Sequence, residues 1–116
     1  MAHPVVWFEV NGKQKDTLFE FYAKLFDWKI DAENPARYGM VQTGGEEGIP
    51  GGIGAERGEA WPSVTFYVES PDLKASLSRA EELGGKTVIP PMQMKSGPEL
   101  ALFADPEGNL IGLVKS

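Results

Sequence analysis

The chain repeats one apolar pattern at a fixed offset of 58 residues, which is half of its 116 residues. The matched apolar positions are Val6, Phe8 and Val10 with Val64, Phe66 and Val68, Leu25 with Leu83, Ile30 with Val88, and Ile53 with Ile111. Similarity at one fixed spacing indicates a supersecondary unit that is used twice. We therefore predict a single domain over residues 1–116, made of two repeats at about 1–58 and 59–116, because so short a chain favours one core.

Each repeat has the same predicted order of elements, namely a strand, a helix and three short strands. The predicted strands cover residues 4–10, 28–30, 38–43 and 52–56 in the first repeat and 63–69, 86–90, 99–104 and 109–115 in the second. Apolar residues at helical spacing predict one helix within residues 16–28 and another after Pro71. A capping box of Thr17 and Glu20 and an N-cap at Ser70 are the predicted helix starts. This order predicts an α+β fold of two βαβββ modules.

Side chains alternate between the two faces of a strand, so the residues between the matched apolar positions share the opposite face. That face carries Trp7, Glu9, Thr65 and Tyr67 on the first strand of each repeat, with Gly54 and Gly112 on the last strands. We expect the first face to pack under the helices and the second to line a cavity.

The charge balance and the residue usage exclude several classes of function. The net charge is -6, and no cluster of Lys and Arg is present, so binding to nucleic acid or to a lipid surface is not expected. No apolar run reaches the roughly 18 residues of a membrane span, and the start lacks the pattern of a secretory signal. With no cysteine for disulfides, these features predict a soluble, cytoplasmic protein.

Two stretches, together with the duplication, resemble a known family. "FYAKLFDW" at 21–28 and "FADPEGNLIGLV" at 103–114 are similar to segments of the vicinal oxygen chelate superfamily, which includes glyoxalase I, bleomycin-resistance proteins and extradiol dioxygenases. The resemblance implies that the two modules form an open-sided, curved, eight-stranded sheet around a cleft. It also implies a homodimer, and metal ligands on the concave face of the first and last strands.

The positions that match the family's metal ligands hold other residues in this chain. By resemblance they are Trp7 and Thr65 on the first strands and Gly54 and Gly112 on the last strands. Catalytic metal sites need about three side chains of the His, Asp or Glu type. We therefore predict no metal and no other cofactor. A relocated site, the alternative, would use acids of the same face: Glu9, Glu56 and Glu69.

The resulting prediction is a glyoxalase-like protein that binds a small organic ligand in the concave cleft without a metal. The predicted ligand-binding residues are Trp7, Glu9, Met40, Gly54, Thr65, Tyr67 and Gly112. Glu9 is the candidate catalytic residue, as a general base or a ligand-orienting acceptor; otherwise it is bonded to Tyr67, Arg37 or the backbone. One alternative is a lyase, isomerase or dioxygenase that uses Glu9 or a relocated metal. Another is an interaction module whose cleft is filled core.

Overall fold

The computed structural model describes residues 2–116 and confirms the predicted order of elements. The first repeat contains β1 (Val5–Gly12), α1 (Lys15–Phe26), β2 (Lys29–Asp31), β3 (Gly39–Gln42) and β4 (Gly51–Ala55). The second contains β5 (Val64–Ser70), α2 (Leu73–Glu82), β6 (Lys86–Gln93), β7 (Glu99–Ala104) and β8 (Leu110–Lys115). The fold is therefore α+β, with two βαβββ modules as predicted. None of the helices within residues 2–116 is both long and apolar enough to cross a membrane.

The chain divides into two compact units. The first unit comprises Val6–Val64, and the second comprises residues 2–5 together with Thr65–Ser116. The division falls at the start of β5, a few residues after the predicted boundary at 58. The segment that follows β4 stays with the first unit because it hydrogen-bonds back to β1, where Ser63 O accepts from the backbone N–H of Asn11. The grouping of both repeats into one domain stays a prediction.

Each unit contains four strands in the same arrangement. In the first unit the spatial order is β2-β3-β4-β1, and in the second it is β6-β7-β8-β5. The first strand of each module pairs parallel with the last one, β1 with β4 and β5 with β8, whereas the remaining pairs are antiparallel. The identical topology supports the duplication that the sequence pattern predicts.

The helices of the two units pack differently. In the first unit α1 has no fully buried residue, and its Tyr22 stacks on Trp28 with ring centroids 5.4 Å apart. In the second unit Leu73 and Leu77 of α2 are buried in a cluster with Ala101 and Leu113. Burial of a leucine side chain is worth about 2 kcal/mol, so α2 is the better anchored helix.

The register of the parallel strand pair differs between the units. Asn11 lies opposite Gly54 in the first unit, and the 58-residue offset would place Glu69 opposite Gly112. Gly112 lies opposite Tyr67 instead, a shift of two residues. A two-residue shift leaves every side chain on its own face of the sheet. By this register, the pair of Gly112 and Tyr67 in the second unit corresponds to the pair of Gly52 and Glu9 in the first unit.

Both predicted helix starts are wrong. Helix α1 begins at Lys15, two residues before Thr17, and its N-cap Gln14 makes no side-chain cap bond. Helix α2 is capped by Asp72, whose carboxylate accepts from the N–H of Ala75 at 3.0 Å. Ser70 is the last residue of β5, and its hydroxyl hydrogen-bonds the hydroxyl of Ser76 and the backbone of Asp72. Asp and Ser are comparable N-cap residues, so local preference alone did not separate them.

Candidate ligand-binding site

The centre of the candidate site is Glu9, a buried carboxylate on β1 with only 3% of its surface exposed. Its Oε2 accepts a hydrogen bond from the hydroxyl of Tyr38 at 2.8 Å. Its Oε1 accepts from Nε1 of Trp61 at 3.0 Å and from Nδ2 of Asn11 at 2.9 Å. Hydrogen bonds of this kind offset the cost of removing a carboxylate from water. Arg37, one of the alternatives from the sequence, pairs with Asp16 instead.

Tyr38 is held in place by a side chain of its own loop and by a glycine. Asn34 donates from Nδ2 to the carbonyl of Tyr38 at 2.8 Å and accepts from its N–H at 2.9 Å. Gly52 lies directly below the phenol, because a Cβ added there would be 1.8 Å from the Tyr38 hydroxyl oxygen. Any side chain at position 52 would therefore displace the tyrosine from Glu9.

The segment after β4 covers the other side of Glu9. Besides bonding Glu9, Asn11 donates from Nδ2 to the carbonyl of Pro62 at 3.1 Å. The guanidinium of Arg57 lies over the ring of Trp61, 4.7 Å from the centroid, a cation–π contact that steadies the indole. The segment thus places a donor on Glu9 and closes it from solvent.

Gly54 also serves the packing around Glu9. A Cβ at Gly54 would be 2.9 Å from Oδ1 of Asn11 and 3.0 Å from the ring of Tyr38. Oδ1 of Asn11 is buried and has no hydrogen-bond partner among the described residues. The glycine therefore leaves room for the amide of Asn11 and the phenol of Tyr38 side by side.

Trp7 connects this buried group to an open groove. Its Nε1 donates to the Tyr38 hydroxyl at 3.0 Å, so hydrogen bonds run from Trp7 through Tyr38 to Glu9. Trp7 also lines a groove of about 400 Å³, called here the Trp7 groove. Its other lining residues are Lys29, Ile30, Asp31, Met40, Val41, Gln42 and Pro50. The structure thus brings the predicted residues Trp7 and Met40 together, whereas Glu9 is not on the groove wall.

The predicted residues of the second unit are engaged in packing and hydrogen bonds of that unit. Thr65 is buried, and its hydroxyl donates to the carbonyl of Leu110 at 2.8 Å. The ring of Tyr67, 3% exposed, covers Gly112, since a Cβ at Gly112 would be 2.3 Å from the Tyr67 ring. Their roles in ligand binding stay predictions.

The residues at the family's metal positions do not fit a metal ion. The Trp7 indole nitrogen donates a hydrogen bond, and the Thr65 hydroxyl proton is committed to a carbonyl. At Gly54 and Gly112 an aromatic ring occupies the space into which an acidic side chain would project. Within residues 2–116 there is also no group of three or more His, Asp or Glu side chains arranged to hold an ion.

Sequence reasoning missed three residues of the site: Asn11, Gly52 and Trp61. Asn11 carried a usable signal, because it follows Glu9 by two positions and so shares its face of β1. Gly52 required the strand register, which the 58-residue offset does not reproduce. Trp61 lies outside the strands and helices, in a segment that shows no periodic pattern.

Comparison with known proteins agrees with this architecture. The profile of the glyoxalase-like domain family matches residues 7–114. The anthracycline biosynthesis protein DnrV of Streptomyces peucetius is 25% identical over 119 aligned positions, which cover 88% of this chain and 43% of DnrV. The chain thus spans less than half the length of this curated relative.

Two solved structures share the fold at low sequence identity. A glyoxalase/bleomycin resistance protein/dioxygenase superfamily member from Vibrio splendidus 12B01 superposes with a TM-score of 0.67 at 13% identity, covering 99% of this chain and 100% of its own. Methylmalonyl-CoA epimerase from Mycobacterium tuberculosis gives a TM-score of 0.66 at 16% identity, covering 97% of this chain and 86% of its own. With the family match over nearly its whole length, the chain belongs to the glyoxalase-like domain family of the vicinal oxygen chelate superfamily.

Proposed function

We propose that this protein binds a small planar organic molecule in the Trp7 groove and that it does so without a metal ion. The observation that carries the proposal is the double role of Trp7, whose indole N–H is fixed by Tyr38 while the side chain forms part of the groove wall. An aromatic side chain held in one orientation offers a flat surface at little entropic cost, which favours stacking with a planar ligand.

The composition of the groove indicates the kind of molecule that it accepts. Its walls include the apolar side chains of Met40 and Pro50 beside Trp7, and its exposed edge carries Lys29 and Asp31. Apolar walls with a few polar groups are typical of sites for small organic ligands. We expect a flat ring system whose rim bears hydroxyl, carbonyl or amino groups.

The similarity to a protein named for anthracycline biosynthesis supports fused aromatic rings as the first ligand class to test. Met40 contributes to this fit, because its side chain is 45% exposed and its thioether is flexible and polarisable, which lets it adapt to a ring face. Glu9 takes a positioning role in this proposal, since it orients Tyr38 and through it Trp7.

The experiment is calorimetric titration of doxorubicinone, the uncharged aglycone of doxorubicin, into the protein in the presence of EDTA. We expect saturable binding that Met40→Lys weakens by about tenfold, because the charge is driven against an apolar wall. Met92→Lys is the matched control, since Met92 is also on a strand and about equally exposed, at 40%, but does not line the groove. The proposal fails if binding requires added metal, or if the two lysine variants weaken it equally.

A further inference from the structure

We propose that the second unit carries a separate groove that binds a planar aromatic cation. This α2 groove has a volume of about 530 Å³ and runs between α2 and the sheet. The residues that carry the inference are Val68, Ser70, Ser76, Ala80, Phe103 and Leu113. The volume lies within the range of small-molecule sites. Binding in the α2 groove does not depend on the function proposed for the Trp7 groove.

The two repeats differ at the positions that create the α2 groove. At the 58-residue offset, Ser76 and Ala80 of α2 correspond to Leu18 and Tyr22 of α1. Tyr22 is part of an aromatic cluster, stacked on Trp28 at 5.4 Å and in contact with Phe21 at 5.1 Å. A large aromatic side chain in the first repeat is thus replaced by a methyl group in the second.

The same comparison holds at the floor of the groove. In the first unit Leu18 packs on Gly12, where an added Cβ would be 2.8 Å from Cδ1 of the leucine. The equivalent pair in the second unit is Ser76 and Ser70, whose hydroxyl oxygens are 2.7 Å apart. A leucine–glycine contact has therefore become a contact between two much shorter side chains, of which Ser70 is buried and also bonded to the backbone of Asp72.

The depression along α1 shows what these substitutions change. Every residue that lines it belongs to α1 itself: Thr17, Glu20, Phe21, Lys24 and Leu25. The α2 groove reaches the sheet, where Val68, Phe103 and Leu113 form an apolar floor. The second unit therefore leaves open a space that side chains fill in the first. Since an aromatic ring occupies that space in one repeat, a planar aromatic group is the occupant that fits it in the other.

The charges around the α2 groove select the sign of the ligand. Asp72 and Asp105 lie at its edge. The basic residues that line it are His3 and Arg79, and Arg79 is paired with Glu82 at 3.4 Å. Hydrogen bonds from the side chain and backbone of Asn109 hold the pKa of Asp105 below its ordinary value, which itself lies well below neutral pH. The net negative edge favours a cationic ligand.

The test is an NMR titration of the backbone amide signals with tryptamine, which combines an indole ring with an ammonium group. We expect saturable shifts at Val68, Ala80 and Leu113. Indoleacetate, with the same ring and the opposite charge, is expected to bind at least about tenfold more weakly. Equal affinity for the two compounds would refute the charge preference, and shifts confined to the Trp7 groove would refute the separate site.

A second experiment measures tryptamine binding to variants that carry the side chains of the first repeat in the α2 groove. Ser76→Leu and Ala80→Tyr are each expected to weaken tryptamine binding by about tenfold or more, because they fill the groove. Ser78→Leu is the matched control, since Ser78 is an exposed residue of the same helix that does not line the groove. If one filling variant fails to fold, the other decides. Unchanged affinity in a folded filling variant overturns the proposal.

Discussion

Removing the Tyr38 hydroxyl is the sharpest test of the hydrogen-bonded group around Glu9. That hydroxyl donates to the Glu9 carboxylate at 2.8 Å and accepts from the Trp7 indole at 3.0 Å. A hydrogen bond to a charged group contributes about 1.5–3 kcal/mol to stability, whereas a bond between neutral groups contributes about 1 kcal/mol. Trp7 is only partly buried, so water replaces much of what its N–H loses. We therefore expect Tyr38→Phe to lower the free energy of unfolding by about 2–3 kcal/mol.

The assay is urea unfolding of the variant and of a matched control, Tyr22→Phe. The Tyr22 ring packs in the aromatic cluster of α1, and its hydroxyl makes no hydrogen bond within the described part of the chain. The control is expected to change stability by less than about 0.5 kcal/mol. Equal effects of the two substitutions would refute the structural role of the Tyr38 hydroxyl. A double-mutant cycle with Glu9→Gln then measures the coupling between Tyr38 and Glu9.

Two further predictions concern the second unit. Gly112→Ala is expected to lower the free energy of unfolding by about 1–3 kcal/mol, because its Cβ would overlap the Tyr67 ring. The control Gly97→Ala, at an exposed and uncrowded site, is expected to leave the free energy of unfolding nearly unchanged. Equal changes in the two variants would contradict the packing of Tyr67 on Gly112. For Asp105, the lowered pKa in the folded state means that its stabilising contribution is present above the ordinary pKa and is lost as the pH falls below about 4. Acid unfolding monitored by circular dichroism should therefore show a smaller loss of stability in Asp105→Ala than in the unchanged protein, and identical pH profiles would rule this out.

The order of the elements was predictable because it depends on local patterns that each repeat shows twice. The predicted strand at 99–104 coincides with β7, since an apolar run bounded by Pro98 and Asp105 defines both ends. β6 extends beyond the predicted residues 86–90 to Gln93. Pro90 and Pro91 indicated an end, but β6 lies at the end of the strand order and has irregular register there, where prolines are tolerated.

The faces of the strands were predicted less well. Thr65 and Tyr67 are buried, whereas Val64 is 70% exposed and Phe66 40% exposed, although apolar pattern placed the latter two under a helix. Only Val68, further along the same face, packs against the α2 cluster. Alternation gives the parity of a strand but not how much of each face the helix covers, which depends on the length and position of the helix.

The candidate site required information that spacing does not contain. Glu9 and Trp7 were found from alternation along β1, but their partner Tyr38 lies just before β3, outside the strand, where alternation does not place a side chain. Gly112 suggested a deleted metal ligand, and the structure adds a physical reason for the glycine, namely the Tyr67 ring that covers it. Contacts between residues far apart in sequence follow from register and loop path rather than from composition.

Methyl NMR of the protein with isotope-labelled methionines shows whether a ligand binds at the Trp7 groove. Met40 lines the Trp7 groove, whereas Met92 and Met94 lie in or next to β6 of the second unit and serve as internal controls. With doxorubicinone added in the presence of EDTA, metal-free binding in the Trp7 groove predicts a saturable shift of the Met40 methyl signal and unmoved signals for the other two. A Met40 signal that stays in place at saturating ligand, or that moves only after metal is added, would contradict it.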